Sequence, residues 1–410
     1  MVYPIKQRLI PVLSVLLVLL PMIGLAAQPP LAARSGPVKP ALPELYIPQI
    51  KARAWLLMDY VTGQVLAQQA AYSHRPPAAL AKLMTSYVVF AELAAGKVHR
   101  TDPVMISKVA RQPDGTAAAR LFKPGSMVSL QVLLRGLLIV PDNAAAIALA
   151  KHVAGSEKAF VALMNAYAKR LGMRDTHYEN PSGYPQSGQY SSAFDTALLS
   201  RALIHNFPQY YASFKLKTFT WNGLVLRSRN RLLWSDPEVD GLQTGQVGAA
   251  DYYLVASAQR SAQRMIAVVL GGASESARAE ETTALLNYGF HFFNTHSLYG
   301  AGETLLSPRV WKGSVKHLAI GVARTVQVSV PRGRYHDLQI SVAIPATLIA
   351  PFHQGQKLGE LQIRLAGKIL RQVPLVALQG VPEAGILGRL LDSVRLWRRG
   401  DGPAKSERAL

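Results

Sequence analysis

Three short stretches carry side chains of the kinds that move protons or hold polar substrates. The first is Pro76-Pro77-Ala78-Ala79-Leu80-Ala81-Lys82-Leu83-Met84-Thr85. A proline at the first helical position loses nothing, because the N–H it lacks has no partner there. Residues 79 and 82 stand three apart, so the helix that follows presents both on one face. The second stretch, Leu137-Leu138-Ile139-Val140-Pro141-Asp142-Asn143-Ala144, joins two apolar helices through a tight polar corner. The third, Asp240-Gly241-Leu242-Gln243-Thr244-Gly245, leads into the strand Tyr252–Ala258. Other chemistries lack their residues. The chain has no cysteine, which excludes disulfides, thiolate catalysis and Cys-type zinc sites. Its ten histidines show neither His-x-x-x-His nor His-Glu-x-x-His spacing, so no metal and no cofactor is expected.

The elements that must position these stretches are legible along 410 residues, of which 49% are apolar and 17% charged. That balance excludes a mainly disordered chain. Residues 46–296 mix strands (Trp55–Asp59, Tyr252–Ala258, Arg264–Leu270) with helices expected over Ala81–Ala95, Leu130–Val140, Ala144–Ala154, Lys158–Leu171 and Glu280–Phe293. Residues 297–381 switch to short alternating runs such as Val326-Gln327-Val328-Ser329-Val330, punctuated by Gly and Pro. They read as a small all-β module. The fold class is therefore α+β, with a mixed domain followed by a β-domain.

Both ends bear on location. Lys6 and Arg8 precede an apolar run from Leu9 to Leu25, and Gly24-Leu25-Ala26-Ala27 offers small residues for cleavage. Residues 1–27 therefore read as a signal peptide. An uncleaved anchor is the alternative, since the run is close to the spanning minimum of roughly 17–20 residues. Either way the remainder is exported, which argues against nucleic acid as the partner of the formal +21 charge. Residues 28–45, rich in proline, read as a linker. In the tail, 382–410, residues Ile386, Leu387, Leu390, Leu391, Val394 and Trp397 recur at helical spacing. Arg389, Arg395, Arg398 and Arg399 against Asp392 leave the segment three charges positive. Such a helix suits an anionic membrane surface, with docking on the protein's own core as the plainer alternative.

The chain resembles the D-alanyl-D-alanine carboxypeptidases, the low-molecular-mass penicillin-binding proteins, from about Lys51 to Trp397. The opening hairpin Leu57-Met58-Asp59-Tyr60-Val61-Thr62-Gly63-Gln64-Val65-Leu66 matches, as do Lys82-Leu83-Met84-Thr85-Ser86-Tyr87 and Gly188-Gln189-Tyr190-Ser191-Ser192-Ala193. Asn230-Arg231-Leu232-Leu233-Trp234 and Val330-Pro331-Arg332-Gly333-Arg334 are close to pattern. The order of parts agrees too. The resemblance implies a serine β-lactamase/transpeptidase-like domain, a small β-domain and a C-terminal amphipathic helix.

It also implies a mechanism that this chain cannot complete. In the family a serine attacks the D-Ala-D-Ala amide, and a lysine one turn on is its base. Ala79 stands at the nucleophile's position, Pro141 at the relay serine's and Gln243 at the strand lysine's, whereas Lys82, Asn143, Thr244 and Gly245 remain. No other Ser-x-x-Lys or Lys-Thr-Gly occurs. Ser228-Arg229-Asn230 has the relay spacing but lies in another segment. Thr244 and Arg278 match the positions that hold the substrate's carboxylate, and Arg229 matches another arginine of the cleft. Asp142 either pairs with Lys82 or caps the next helix. The expectation is a periplasmic, membrane-associated pseudoenzyme that binds stem peptides or cell-wall proteins. The resemblance taken alone implies a working carboxypeptidase that trims pentapeptide stems. Tyr60, Tyr87, Tyr190 and Tyr252 are expected in the core or cleft wall, and Arg332–Arg334 at a β-turn.

Overall fold

The computed structural model describes residues 46–107 and 121–398, together with a two-residue strand at Tyr3–Pro4. Apart from that pair, the leader expected over 1–27 and the linker over 28–45 lie outside the described residues, as do Arg399 and the rest of the tail. The chain divides into two compact units.

The first unit comprises Ile47–His296 and Gln327–Arg332. Strands β1 (Ala54–Asp59), β2 (Val65–Gln69), β3 (Val239–Val247), β4 (Asp251–Arg260) and β5 (Gln263–Gly272) form one antiparallel sheet in the order β2-β1-β5-β4-β3. Its central strands are near-continuous apolar runs because both faces are covered. Alternation still sorts them: Leu56, Met58, Val255, Ile266 and Val268 enter one core, and Trp55, Leu57, Leu254, Ala267 and Val269 the other. The first core is filled by α1 (Ala81–Ala94), α2 (Leu130–Ile139), α3 (Asn143–Ala154), α4 (Glu157–Leu171) and α5 (Ala193–Asn206). The second is covered by α6 (Glu275–Phe292). Each large apolar side chain so buried contributes about 1.5–3 kcal/mol.

Two elements depart from the expectation, and both turn on capping serines. The α6 helix starts five residues before the expected Glu280, because Ser274 accepts from the Ala277 amide and opens a polar first turn. Helix α5 has no counterpart among the expected helices. Its signature is Ser192-Ala193-Phe194-Asp195, and Ser192 Oγ accepts from the Asp195 amide at 3.1 Å. Gln327–Arg332 joins the first unit although it lies beyond residue 296. Ser329 O accepts from Gln64 Nε2 at 2.9 Å, and its hydroxyl lies 3.1 Å from those of Thr62 and Thr295. Buried Asp59 accepts from both threonines.

In the second unit, β6 (Thr304–Leu306), β7 (Ile320–Val322), β8 (Leu338–Ala343), β9 (Lys357–Leu365) and β10 (Lys368–Ala377) share a sheet in the order β8-β9-β10-β7-β6. This is an all-β module, as expected beyond residue 296, except that Gln327–Val330 of the alternating run Val326–Val330 belongs to the first unit. It is followed by α7 (Ile386–Arg398). Asp392 on α7 accepts from Arg309 Nη2 at 3.1 Å and from the Lys312 amide at 2.8 Å.

Candidate active site

Ala78–Leu80 form a single 3-10 turn that runs into α1, so residues 79 and 82 stay one turn apart, as their spacing predicts. Lys82 is only 2% exposed. Its Nζ donates to Asn143 Oδ1 at 2.7 Å and to the Ser182 carbonyl at 2.5 Å. Those bonds join three separate segments around the amine. Asn143 is the first residue of α3, and Asp142 caps that helix, its Oδ1 accepting from the Ala145 amide at 2.7 Å. Of the two roles open to Asp142, capping is therefore observed. Pro141 lines the cleft between the end of α2 and the start of α3, and its ring supplies neither an N–H nor a hydroxyl there.

The wall opposite α3 is a loop that the sequence marks only by its turn dipeptides, Asn180-Pro181 and Ser182-Gly183. Asn180 Oδ1 accepts from the Gly183 amide at 2.7 Å, and Gln189 Nε2 donates to the Tyr184 carbonyl at 3.1 Å. At Gly183 the φ is +75° and a Cβ would lie 1.7 Å from the Ala78 carbonyl oxygen. Backbone here packs directly on the 3-10 turn. Gly183→Ala is expected to cost about 3 kcal/mol or more, read as a lower midpoint of urea unfolding; an unchanged midpoint would show that the loop yields freely.

Strand β3 and helix α6 complete the site. Thr244 and Arg278 are buried, at 5% and 4% exposure. Arg278 Nη1 donates to the Gly245 and Tyr253 carbonyls at 3.0 and 3.2 Å, and its guanidinium lies 5.6 Å from the Tyr252 ring centre. Burial pulls the Arg278 pKa below its ordinary value, with Glu275 opposing. Together Ala79, Lys82, Pro141, Asn143, Ser182, Arg229, Thr244, Gly245, Glu275 and Arg278 line a cleft of about 570 Å³. Gln243 is not among its lining residues. It is a buried residue of β3 itself, and among the described residues its Nε2 has no hydrogen-bond partner. Of Ser228, Arg229 and Asn230 only Arg229 lines the cleft, and Asn230 Oδ1 instead accepts from the Leu232 amide. Sequence reasoning missed Ser182, Gly183, Tyr184 and Glu275. The first three lie in a loop whose contribution is largely backbone, and Glu275 lies in the hidden first turn of α6.

A five-stranded antiparallel sheet between two helical layers, with a Lys–Asn pair over a threonine-bearing edge strand, defines the penicillin-binding transpeptidase fold. The chain belongs to the D-alanyl-D-alanine carboxypeptidase family: the family model of that description matches residues 41–274, and a second, described as penicillin-binding protein 5, C-terminal domain, matches residues 293–383. It is 41% identical over 355 residues to the D-alanyl-D-alanine carboxypeptidase DacC of Escherichia coli (strain K12), covering 85% of this chain and 89% of that one. The DacA enzyme of the same strain is 40% identical over 356 residues, with coverage of 85% and 88%. Penicillin-binding protein 5 of Haemophilus influenzae superposes with a TM-score of 0.78 at 35% identity, covering 82% of this chain and 99% of that structure.

Proposed function

We propose that the protein is a non-catalytic member of this serine-type family, exported to the periplasmic side of the inner membrane, where its cleft holds peptidoglycan stem peptides or a cell-wall partner without cleaving them. The observation that carries the reading is Ala79. Its methyl group stands at the nucleophile's position in a cleft where Lys82 and Asn143 are joined by a 2.7 Å hydrogen bond. A methyl group cannot be acylated. Removing the nucleophile of a serine hydrolase costs on the order of 10⁶ in turnover, and what remains comes from binding and oxyanion stabilisation. Pro141 and Gln243 remove two further groups of the family mechanism.

Fluorescent penicillin tests this directly, because the reagent needs an acylatable serine. The purified protein is expected to show no covalent band. A band that survives denaturation would return the chain to the working carboxypeptidases.

The same reading assigns α7 to an anionic membrane surface. Leu387 and Trp397 are 79% and 77% exposed, and Ile386, Leu390, Leu391 and Val394 are exposed beside them. Docking of that stripe on the protein's own core is therefore not observed among the described residues. Arg395 and Arg398 lie at the same end as Trp397. No helix among the described residues is long and apolar enough to cross a membrane, so the contact assigned to α7 is peripheral.

A further inference from the structure

Four charged side chains line the cleft among the described residues: Lys82, Arg229, Arg278 and Glu275. Three are cations and one is an anion. The Lys82 amine is engaged by Asn143 and the Ser182 carbonyl, deep beside position 79. The two arginines form a separate cationic end. Arg278 is held from behind by the Gly245 and Tyr253 carbonyls, which fixes its guanidinium, and Arg229 and Arg231 both repel it. An anion is needed at this end, and the chain supplies its own. Glu275 Oε1 lies 3.7 Å from Arg278 Nη2, and Glu275 Oε2 lies 3.3 Å from Arg231 Nη2. The Glu275 side chain is 43% exposed and bridges Arg278 of the lining to Arg231 just outside it.

We infer that Glu275 is a specificity-determining residue: its carboxylate occupies the arginine end of the cleft and weakens the binding of any peptide that presents a free C-terminal carboxylate there, relative to the same peptide with a neutral end. The inference rests on the cleft being a peptide site, as proposed above. An incoming carboxylate must displace Glu275 or share the arginines with it, and like charges side by side raise the cost of binding. A peptide ending in a carboxamide meets no such competition. Glu275 has no chemistry to perform on the ligand; it acts through charge alone. Its place in the first turn of α6 also favours an anion there, in addition to the attraction of Arg278.

The test is calorimetric titration of the full mature protein and its Glu275→Gln variant with diacetyl-L-lysyl-D-alanyl-D-alanine and with the C-terminal amide of that peptide. Glu275→Gln is expected to tighten binding of the acid about tenfold while leaving the amide unchanged, since one charge–charge term is removed. Glu275→Asp keeps the charge and is expected to leave the ratio of acid to amide affinity near the parent's. A purely structural role for Glu275 moves both peptides together, so an unchanged ratio in Glu275→Gln overturns the inference alone. If neither peptide binds either protein, the stem-peptide reading fails and the inference falls with it.

Discussion

Replacing Ala79 by Ser, Pro141 by Ser and Gln243 by Lys in one protein is expected to produce a covalent adduct with fluorescent penicillin that the unaltered chain does not form. The reason is that the surrounding scaffold is intact. Lys82 is buried, and its bonds to Asn143 and the Ser182 carbonyl already join α1, the α3 corner and the 180–189 loop. Thr244 and Gly245 remain on β3 at the lining of the cleft. A hydroxyl restored at position 79 would stand one turn from that amine. Serine at 141 returns a hydroxyl to the lining of the cleft, and lysine at 243 returns the cation of the family's strand motif where Gln243 Nε2 now has no partner among the described residues. Ala79→Ser alone is expected to label far more weakly, because nucleophile, base and relay act as a unit whose parts do not contribute additively. The gain from the triple change approaches the loss from deleting a nucleophile, on the order of 10⁶ in acylation rate. If the triple variant folds, by its thermal midpoint, and still shows no adduct, the scaffold has lost more than three side chains and the reading of a preserved cleft is wrong.

The second large effect concerns α7. Leu390→Glu together with Trp397→Glu is expected to lower binding to vesicles containing phosphatidylglycerol by roughly a thousandfold. Burial of each such side chain is worth about 1.5–3 kcal/mol, and the substitutions add two like charges to the anionic surface. Both residues are more than half exposed, so the β-domain should keep its fold, which circular dichroism checks. Raising the salt concentration should weaken the parent's binding only partly, since screening acts on the arginines and not on the apolar stripe. Equal cosedimentation of parent and variant would remove α7 from the membrane.

Much of this was legible because the information is local. Apolar alternation sorts the strands between two cores, and the spacing of 79 and 82 survives even though the first turn proves to be 3-10 rather than α. The exposed stripe of α7 is written in its spacing. What was hidden depends on contacts far apart in sequence. The Ser182 carbonyl has no sequence signature, yet it holds Lys82 across a separation of 100 residues. Ser329 joins Gln64 and Thr62 only because the chain returns to them from well beyond residue 296. Glu275 is one acid among 24 until α6 places it beside Arg278. Helix α5 and the start of α6 were hidden for another reason: a cap is a single polar residue, and periodicity of apolar residues does not register it.

The grip on Asp392 has a mechanical meaning. Arg309 and the Lys312 amide hold one carboxylate on the inner side of α7, so the helix cannot roll about its own axis without breaking both bonds. In this arrangement the same six apolar side chains are turned outward. A surface that meets the helix in this arrangement finds the stripe already facing it.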